Sequence, residues 1–187
     1  MFESILSSFS LVAISEIGDK TQLLAFSLAA RHKSRWRVMA GIFVATILNH
    51  SLAAFSGDWV AAHLSPHVLA IILACTFIAF GFWTLKPDTL DDQKVSPRFG
   101  PFWTTVFLFF LAEMGDKTQL ATVALSAKFH SVFFVTIGTT LGMLVTDGLA
   151  VFLGERIAKK VQMKWIRYCA AGLFFAFGIS IIVTQLM

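Results

Sequence analysis

Charged side chains are scarce in this chain of 187 residues, where they make up 14% of the sequence, against about a quarter in an average soluble protein. Hydrophobic residues make up 57%, and 20 Phe accompany a single Tyr, a balance typical of side chains that face lipid. The composition therefore argues against a soluble enzyme, a nucleic-acid-binding module or a disulfide scaffold. It predicts a membrane protein with several spans, whose surroundings are the lipid bilayer.

Cysteine is also scarce. The two cysteines, Cys75 and Cys169, lie within apolar runs and have neither a CxxC spacing nor histidine-rich surroundings. We therefore expect neither a disulfide framework nor a thiolate metal site.

Six apolar runs are long enough for membrane helices, because about 20 helical residues cross about 30 Å of hydrocarbon. These runs are residues 4–30, 38–56, 67–85, 100–127, 132–153 and 168–187. The first run lacks a basic leading segment and contains Glu16, Asp19 and Lys20, so we expect a retained helix and not a cleaved signal peptide. The fold class that follows is all-α, an integral membrane protein with six transmembrane helices.

A sequence repeat relates the two halves of the chain. The segment Glu16-Ile17-Gly18-Asp19-Lys20-Thr21-Gln22 recurs 97 residues later as Glu113-Met114-Gly115-Asp116-Lys117-Thr118-Gln119. The same offset continues without a gap and aligns Gly41 with Gly138 and Phe55 with Phe152. We therefore expect two three-helix units, residues 1–86 and 99–187, joined by a polar cytoplasmic linker at residues 87–98. Because three is odd, the second unit enters the membrane inverted with respect to the first.

The basic residues indicate the orientation. Twelve of the 15 Lys and Arg residues lie in the loops after the first, third and fifth predicted helices. Since basic loops stay in the cytoplasm, both chain termini are expected outside it. The twelve residues are Arg31, Lys33, Arg35, Arg37, Lys86, Lys94, Arg98, Arg156, Lys159, Lys160, Lys164 and Arg167.

The two copies of the repeated segment place charges near the bilayer midplane, about 12 residues into helices of about 26 residues at 1.5 Å per residue. Carboxylates at that depth need a counter-charge or a bound cation. On a continuous helix, Glu16, Asp19, Lys20 and Leu23 share one face. Gly18 and its equivalent, Gly115, allow either close approach of a second helix or local unwinding.

Two such faces, related by a pseudo-twofold axis, are expected to meet at one central site that offers only oxygen ligands. All-oxygen donors suit hard divalent cations such as Ca²⁺, Mn²⁺ or Mg²⁺ better than Zn²⁺ or Cu⁺. Lys20 and Lys117 are assigned to the ion path or to proton coupling. Each is expected to pair with a carboxylate when no cation is bound and to be displaced when the cation arrives. The alternative, salt bridges that only fix helix packing, is weaker because burying charge is a poor route to stability. The expected ligands are Glu16, Asp19, Glu113, Asp116, Gln22, Gln119, Thr21 and Thr118.

Two further polar residues, His50 and Asp147, are aligned by the repeat within apolar runs. His50 is interpreted either as a proton carrier or as a histidine hydrogen-bonded to a neighbour. Asp147 is interpreted as part of an ion path or of proton coupling, with a buried structural pair as the alternative.

Three function classes fit a site of this kind. A secondary transporter would expose a midplane site alternately to each side, a passive cation channel would select ions with rings of carboxylates, and an intramembrane enzyme would use an acidic dyad. Midplane lysines would obstruct a continuous cation pore, and four duplicated acids describe a coordination shell better than a dyad. The residues therefore favour a transporter of hard cations and not an enzyme.

The motif Glu-x-Gly-Asp-Lys-Thr, present twice in a chain with a three-plus-three repeat, resembles the signature of a cation exchanger family. That family includes human transmembrane protein 165 of the Golgi and the bacterial MneA-type manganese exporters. The resemblance implies export of Mn²⁺ in exchange for protons, or a calcium/proton exchanger, with Glu16, Asp19, Glu113 and Asp116 as the cation-binding carboxylates. It implies no cofactor, since manganese(II) or calcium(II) is the transported substrate.

The compact length, without an organelle-targeting extension, resembles a bacterial member of that family, so we expect a multi-pass protein of the bacterial inner membrane. The partners implied are the divalent metal ion and the proton, and the sequence leaves open whether the chain forms a homodimer.

Overall fold

The computed structural model describes residues 1–86, 100–153 and 163–185, and these residues form eight α-helices. The expected linker at residues 87–98 lies outside the described residues. The helices are α1 (Phe2–Glu16), α2 (Lys20–His32), α3 (Arg35–His63), α4 (Pro66–Thr84), α5 (Pro101–Glu113), α6 (Lys117–Phe129), α7 (Val132–Leu153) and α8 (Met163–Gln185).

Four of these helices contain segments long and apolar enough to cross a membrane. They are α3, α4, α7 and, within α8, Arg167–Thr184. Helix α5 is a shorter apolar helix. The expectation of an all-helical membrane protein is confirmed, whereas six spans arranged as an inverted repeat stay a prediction.

The continuous helices expected over residues 4–30 and 100–127 are wrong, because each is broken within the repeated segment. Helix α1 ends at Glu16 and α2 begins at Lys20, and α5 and α6 are separated in the same way. Gly18 has φ 83° and Gly115 has φ 75°. These left-handed values interrupt a right-handed helix, and glycine adopts them most easily because it has no Cβ. Of the two roles open to the glycines, local unwinding is therefore the one observed.

The break also changes how the charged residues are displayed. Asp19 is the extended residue that caps α2, with φ −78° and ψ 170°, and so it does not continue the helix that carries Glu16. Both carboxylates are buried, while Leu23, expected on the same face, is 44% exposed. The expectation of one shared helix face is thus wrong, because the unwound residues redirect the chain between the two acids.

Helix packing exchanges partners between the two halves of the chain. Helix α1 packs against α7, and its repeat equivalent α5 packs against α3. Equivalent glycines make these contacts close: a Cβ at Gly138 would lie 2.6 Å from the Ile5 carbonyl oxygen, and one at Gly41 would lie 2.8 Å from that of Phe102. Small residues at such crossings let helix backbones approach each other, as is common in membrane bundles.

Helices α4 and α8 form a pair at one side of the bundle. Their contact is aromatic, with the Phe77 and Phe174 ring centroids 6.4 Å apart and those of Phe80 and Phe174 5.8 Å apart. Helix α4 also contacts α6, and α8 contacts α1. Helix α4 therefore packs on the half-helix that follows the second break, and α8 packs on the half-helix that precedes the first.

Candidate cation site

The site lies where the two helix breaks meet. Asp19 and Asp116 occupy the N-cap positions of α2 and α6, directly after the unwound residues. The Asp19 amide donates to the Glu16 carbonyl oxygen (3.1 Å), and the Asp116 amide donates to that of Glu113 (3.2 Å). Each acid therefore sits at the positive end of a helix dipole, where negative charge is stabilised.

Three buried carboxylates converge at this point. Glu16, Asp19 and Asp116 each offer an oxygen, and these oxygens lie within 4.8 Å of one another. Two oxygens that bind one Ca²⁺ at about 2.3–2.6 Å cannot be more than about 5 Å apart, so the separation suits a single cation. Glu113 is also fully buried but does not belong to this group of three.

Threonine hydroxyls orient the two glutamates. Thr21 Oγ1 donates to Glu16 Oε2 (2.7 Å), and Thr118 Oγ1 donates to Glu113 Oε2 (2.8 Å). The second oxygen of each glutamate, Oε1, is buried without a hydrogen-bond partner among the described residues. Each threonine thus fixes one carboxylate oxygen and leaves the other available to a ligand. Binding of the cation by the hydroxyls themselves stays a prediction.

The glutamines of the two segments brace the breaks. Gln22 Oε1 accepts from the Gly18 amide (2.8 Å), and Gln119 Oε1 accepts from the Gly115 amide (2.6 Å). In each case the side-chain oxygen supplies a partner for an amide that unwinding removes from the helical ladder. Binding of the cation by these amide oxygens also stays a prediction.

The glutamine nitrogens connect each break to the other half of the chain. Gln22 Nε2 donates to the Thr146 carbonyl oxygen of α7 (3.0 Å). Gln119 Nε2 donates to Asn49 Oδ1 of α3, and Asn49 Nδ2 donates to the Phe110 carbonyl oxygen of α5 (3.1 Å). Sequence reasoning missed Asn49, although a buried amide next to His50 in an apolar run was a visible signal.

The two lysines form ion pairs across the repeat. Lys117 Nζ lies 2.8 Å from Asp19 Oδ1, and Lys20 Nζ lies 3.2 Å from Asp116 Oδ1. The pairs differ in exposure, since the Lys117 side chain is 3% exposed and that of Lys20 is 27% exposed. Four carboxylates and two ammonium groups leave the site with a formal charge of about −2 when all are ionised.

His50 and Asp147 are both fully buried. Among the described residues, neither ring nitrogen of His50 and neither carboxylate oxygen of Asp147 has a hydrogen-bond partner. The alternative interpretations, His50 hydrogen-bonded to a neighbour and Asp147 in a buried structural pair, each require such a partner. Asp147 directly follows Thr146, whose carbonyl oxygen accepts the hydrogen bond from Gln22 Nε2. Asp147 therefore lies next to a contact that stabilises the first helix break.

Comparisons with known proteins show the relatives of the chain. The profile of the family described as "Divalent cation/proton antiporter GDT1" matches residues 4–92 and 101–187. A Vibrio cholerae protein whose name proposes manganese export is 42% identical over 174 residues, which span 92% of this chain and 87% of the relative. The "Divalent cation/proton antiporter GDT1" of Saccharomyces cerevisiae is 26% identical over 235 residues, 96% of this chain and 83% of the yeast protein. A GDT1-like protein of Synechocystis is 27% identical over 96% of both chains. No solved structure matches the chain.

Proposed function

The chain belongs to the GDT1 family of divalent cation/proton antiporters, and from that premise we propose that it is a secondary transporter that exports Mn²⁺ in exchange for protons. The family is one of transporters, so the chain is not an enzyme and the metal is its substrate rather than a cofactor. The observation that carries the proposal is the buried group of three carboxylates, Glu16, Asp19 and Asp116, which both halves of the chain supply.

The donor atoms support a hard divalent cation. Carboxylate oxygens suit Mn²⁺, Ca²⁺ and Mg²⁺, and neither cysteine contributes, because Cys75 and Cys169 are both exposed. Manganese is chosen over calcium on the name of the Vibrio cholerae relative. A calcium/proton exchanger with the same site is the alternative.

Charge balance supports the exchange for protons. A divalent cation neutralises a site of formal charge near −2, and its departure would leave repelling carboxylates in a low-dielectric interior. Protons are the natural replacement, since like charges held close together favour protonation of one of them. Glu113 completes the carboxylates of the site, and Asp147 and His50, buried without hydrogen-bond partners among the described residues, are proposed to carry protons.

The two ion pairs between the repeats also argue against a passive channel. A passive channel needs a continuous path for cations, whereas Lys20 and Lys117 each hold an aspartate of the opposite half. A bound cation would have to displace these ammonium groups. Exchangeable counter-charges of this kind suit a carrier better than a pore.

The proposed architecture is an inverted pair of three-span repeats, residues 1–86 and 99–187. Each first span is the broken pair of half-helices, α1 with α2 and α5 with α6, and the exchanged packing of α1 on α7 and α5 on α3 supports the pairing. The basic loops support a topology in which both termini lie outside the cytoplasm. The membrane is proposed to be the inner membrane of a bacterium. Rocking of one repeat against the other would expose the site alternately. A homodimer is not part of the proposal, because no feature of the described residues calls for one.

Flux through liposomes tests the proposal. The protein is reconstituted with a Mn²⁺-sensitive dye inside, and Mn²⁺ uptake is recorded with and without an imposed proton gradient. An exchanger moves Mn²⁺ against the Mn²⁺ gradient when protons flow in the opposite direction. The lumenal pH therefore changes as Mn²⁺ is taken up. Flux that follows only the Mn²⁺ gradient, with no change of lumenal pH, would indicate a channel instead.

A further inference from the structure

Rows of buried hydroxyl groups run along three helices from the outer end of the bundle, where α1 begins and α6 ends, towards the site. Positions i and i+4 lie next to each other on one side of a helix. By this spacing the row on α1 leads to Glu16 and the row on α6 leads to Thr118. On α7, Asp147 follows Thr140 by seven residues, which is about two helical turns. The rows consist of Ser4 and Ser8 on α1, Ser126 and Thr122 on α6, and Thr136 and Thr140 on α7.

Four of these hydroxyls have no hydrogen-bond partner among the described residues, namely those of Ser8, Ser126, Thr136 and Thr140. All four residues are at most 8% exposed. A serine or threonine within a helix usually donates to a carbonyl of the preceding turn, as Thr122 does to the Thr118 carbonyl oxygen (2.7 Å). A buried hydroxyl without a partner lowers stability. Packing alone therefore gives no reason for these four residues to be hydroxylic.

The repeat does not reproduce these positions at the inner end of the bundle. At the offset of 97 residues, Ser126, Thr136 and Thr140 correspond to Ala29, Met39 and Phe43. Ser8 corresponds to Thr105, and that hydroxyl is satisfied by the Pro101 carbonyl oxygen (2.7 Å). These rows therefore do not follow from the repeat, although two hydroxyls of the inner half, those of Thr46 and Thr84, are also buried without a partner among the described residues.

The outer side of the site is also the covered side. The side chain of Lys117 on α6 is 3% exposed, whereas that of its equivalent on α2, Lys20, is 27% exposed. Ala124 on α6 is buried, whereas its equivalent on α2, Ser27, is exposed. Helices α3 and α4 both pack against α6, and Ala124 belongs to the same hydrophobic cluster as residues of α4. In this conformation Lys117 and Ala124 of α6 are therefore less accessible than their equivalents on α2.

We propose that the hydroxyl rows line an outer passage through which a partly hydrated divalent cation leaves the carboxylate site, and that this passage is closed in the present conformation. Hydroxyl oxygens are hard donors that replace water around a divalent cation. They are neutral, so they hold the cation weakly enough for release, whereas further carboxylates would retain it. This inference rests on the proposed function, since it assigns the exit side of the same site.

Removal of the hydroxyls tests the passage. The variant carries Ser8→Ala, Ser126→Ala and Thr140→Val together, and Thr105→Val is the matched control at the repeat-equivalent position. We expect the triple variant to transport Mn²⁺ several-fold more slowly, with unchanged Mn²⁺ affinity in detergent and an unchanged or higher melting temperature. The control should transport at the wild-type rate. Since removing an unpartnered buried hydroxyl does not weaken folding, slower transport would report on the passage and not on stability.

A triple variant that transports Mn²⁺ at the wild-type rate would overturn the passage while leaving the proposed function intact. Failure of the wild-type protein to transport Mn²⁺ would instead remove the proposed function, and labelling then decides about the passage alone. In a protein with Cys75→Ala and Cys169→Ala, either Ser8→Cys or Thr140→Cys is treated with a membrane-impermeant thiol reagent from the outer side. Because alternating exposure opens the passage repeatedly, we expect gradual labelling at both positions and none at Phe43→Cys over the same time. Absence of labelling at both, in protein that elutes as a folded species, would overturn the passage.

Discussion

Lys117, the first residue of α6 in the second half of the chain, forms an ion pair of 2.8 Å with Asp19, the cap of α2 in the first half. The reciprocal pair, Lys20 with Asp116, has a separation of 3.2 Å. Each lysine therefore neutralises the aspartate of the opposite motif, and the two halves are joined at the point where their helices unwind. A cation at the proposed site would have to compete with both ammonium groups, which would lower its affinity.

Neutralising either aspartate should abolish transport. Asp19→Asn and Asp116→Asn each remove one charge from a group of oxygens within 4.8 Å of one another, and loss of a charged ligand weakens binding of a hard cation. Manganese resistance of cells that lack other exporters is the measurement. Asp58→Asn, a carboxylate outside the group, is the control and should keep wild-type resistance. Wild-type resistance in both site variants would rule out a shared site.

The two lysines should contribute unequally to stability. Lys117→Met removes the ammonium group that forms an ion pair with the buried Asp19 carboxylate. Breaking a buried ion pair by removing one partner costs about 3–5 kcal/mol. Lys20→Met should cost less, because Lys20 is 27% exposed and water screens its charge. Thermal unfolding in detergent measures both, and Mn²⁺ should restore more stability to Lys117→Met by replacing the lost positive charge. An equal or larger loss in Lys20→Met would contradict the assignment.

The left-handed glycine of the second break should be required for transport. Gly115→Ala places a Cβ where no atom lies within 4 Å, so the only penalty is that of φ 75°, about 1–2 kcal/mol for a non-glycine residue. That strain favours re-forming a continuous helix and moving Asp116 away from the site. Gly172→Ala in α8, where a Cβ also meets open space, is the matched control. We expect lost flux in the first variant and normal flux in the second, and equal flux would show that the break is dispensable.

Orientation has its own test. A fluorescent reporter that folds only in the cytoplasm should be dark when fused after Met187 and bright when inserted at residue 91. The reason is that twelve of the 15 basic residues lie in the connections and adjoining helix ends assigned to the cytoplasm. The opposite pattern would reverse the topology and, with it, the direction of the outer passage.

The sequence was sufficient to predict a helical membrane protein, its family and the residues that carry charge into the core. It could not show that the helices break, because a periodicity of 3.6 describes a helix whether or not Gly18 turns to φ 83°. The brace between Gln22 and Thr146 was likewise hidden, since its partners are 124 residues apart. Asn49 illustrates the same limit: its amide was visible in the sequence, but the contacts that give it a purpose depend on the packing of α3, α5 and α6.

Proton release on binding of Mn²⁺ is the consequence that tests the account most directly. If the buried carboxylates bind Mn²⁺ and protons in turn, binding must displace protons and weaken as pH falls, since a ligand must be deprotonated to coordinate a metal. Titration calorimetry of the purified protein in buffers with different ionisation enthalpies measures this exchange. The account predicts a binding enthalpy that changes with the buffer and an affinity that decreases as pH is lowered. A binding enthalpy that is the same in every buffer, with an affinity independent of pH, would contradict exchange of Mn²⁺ for protons at this site.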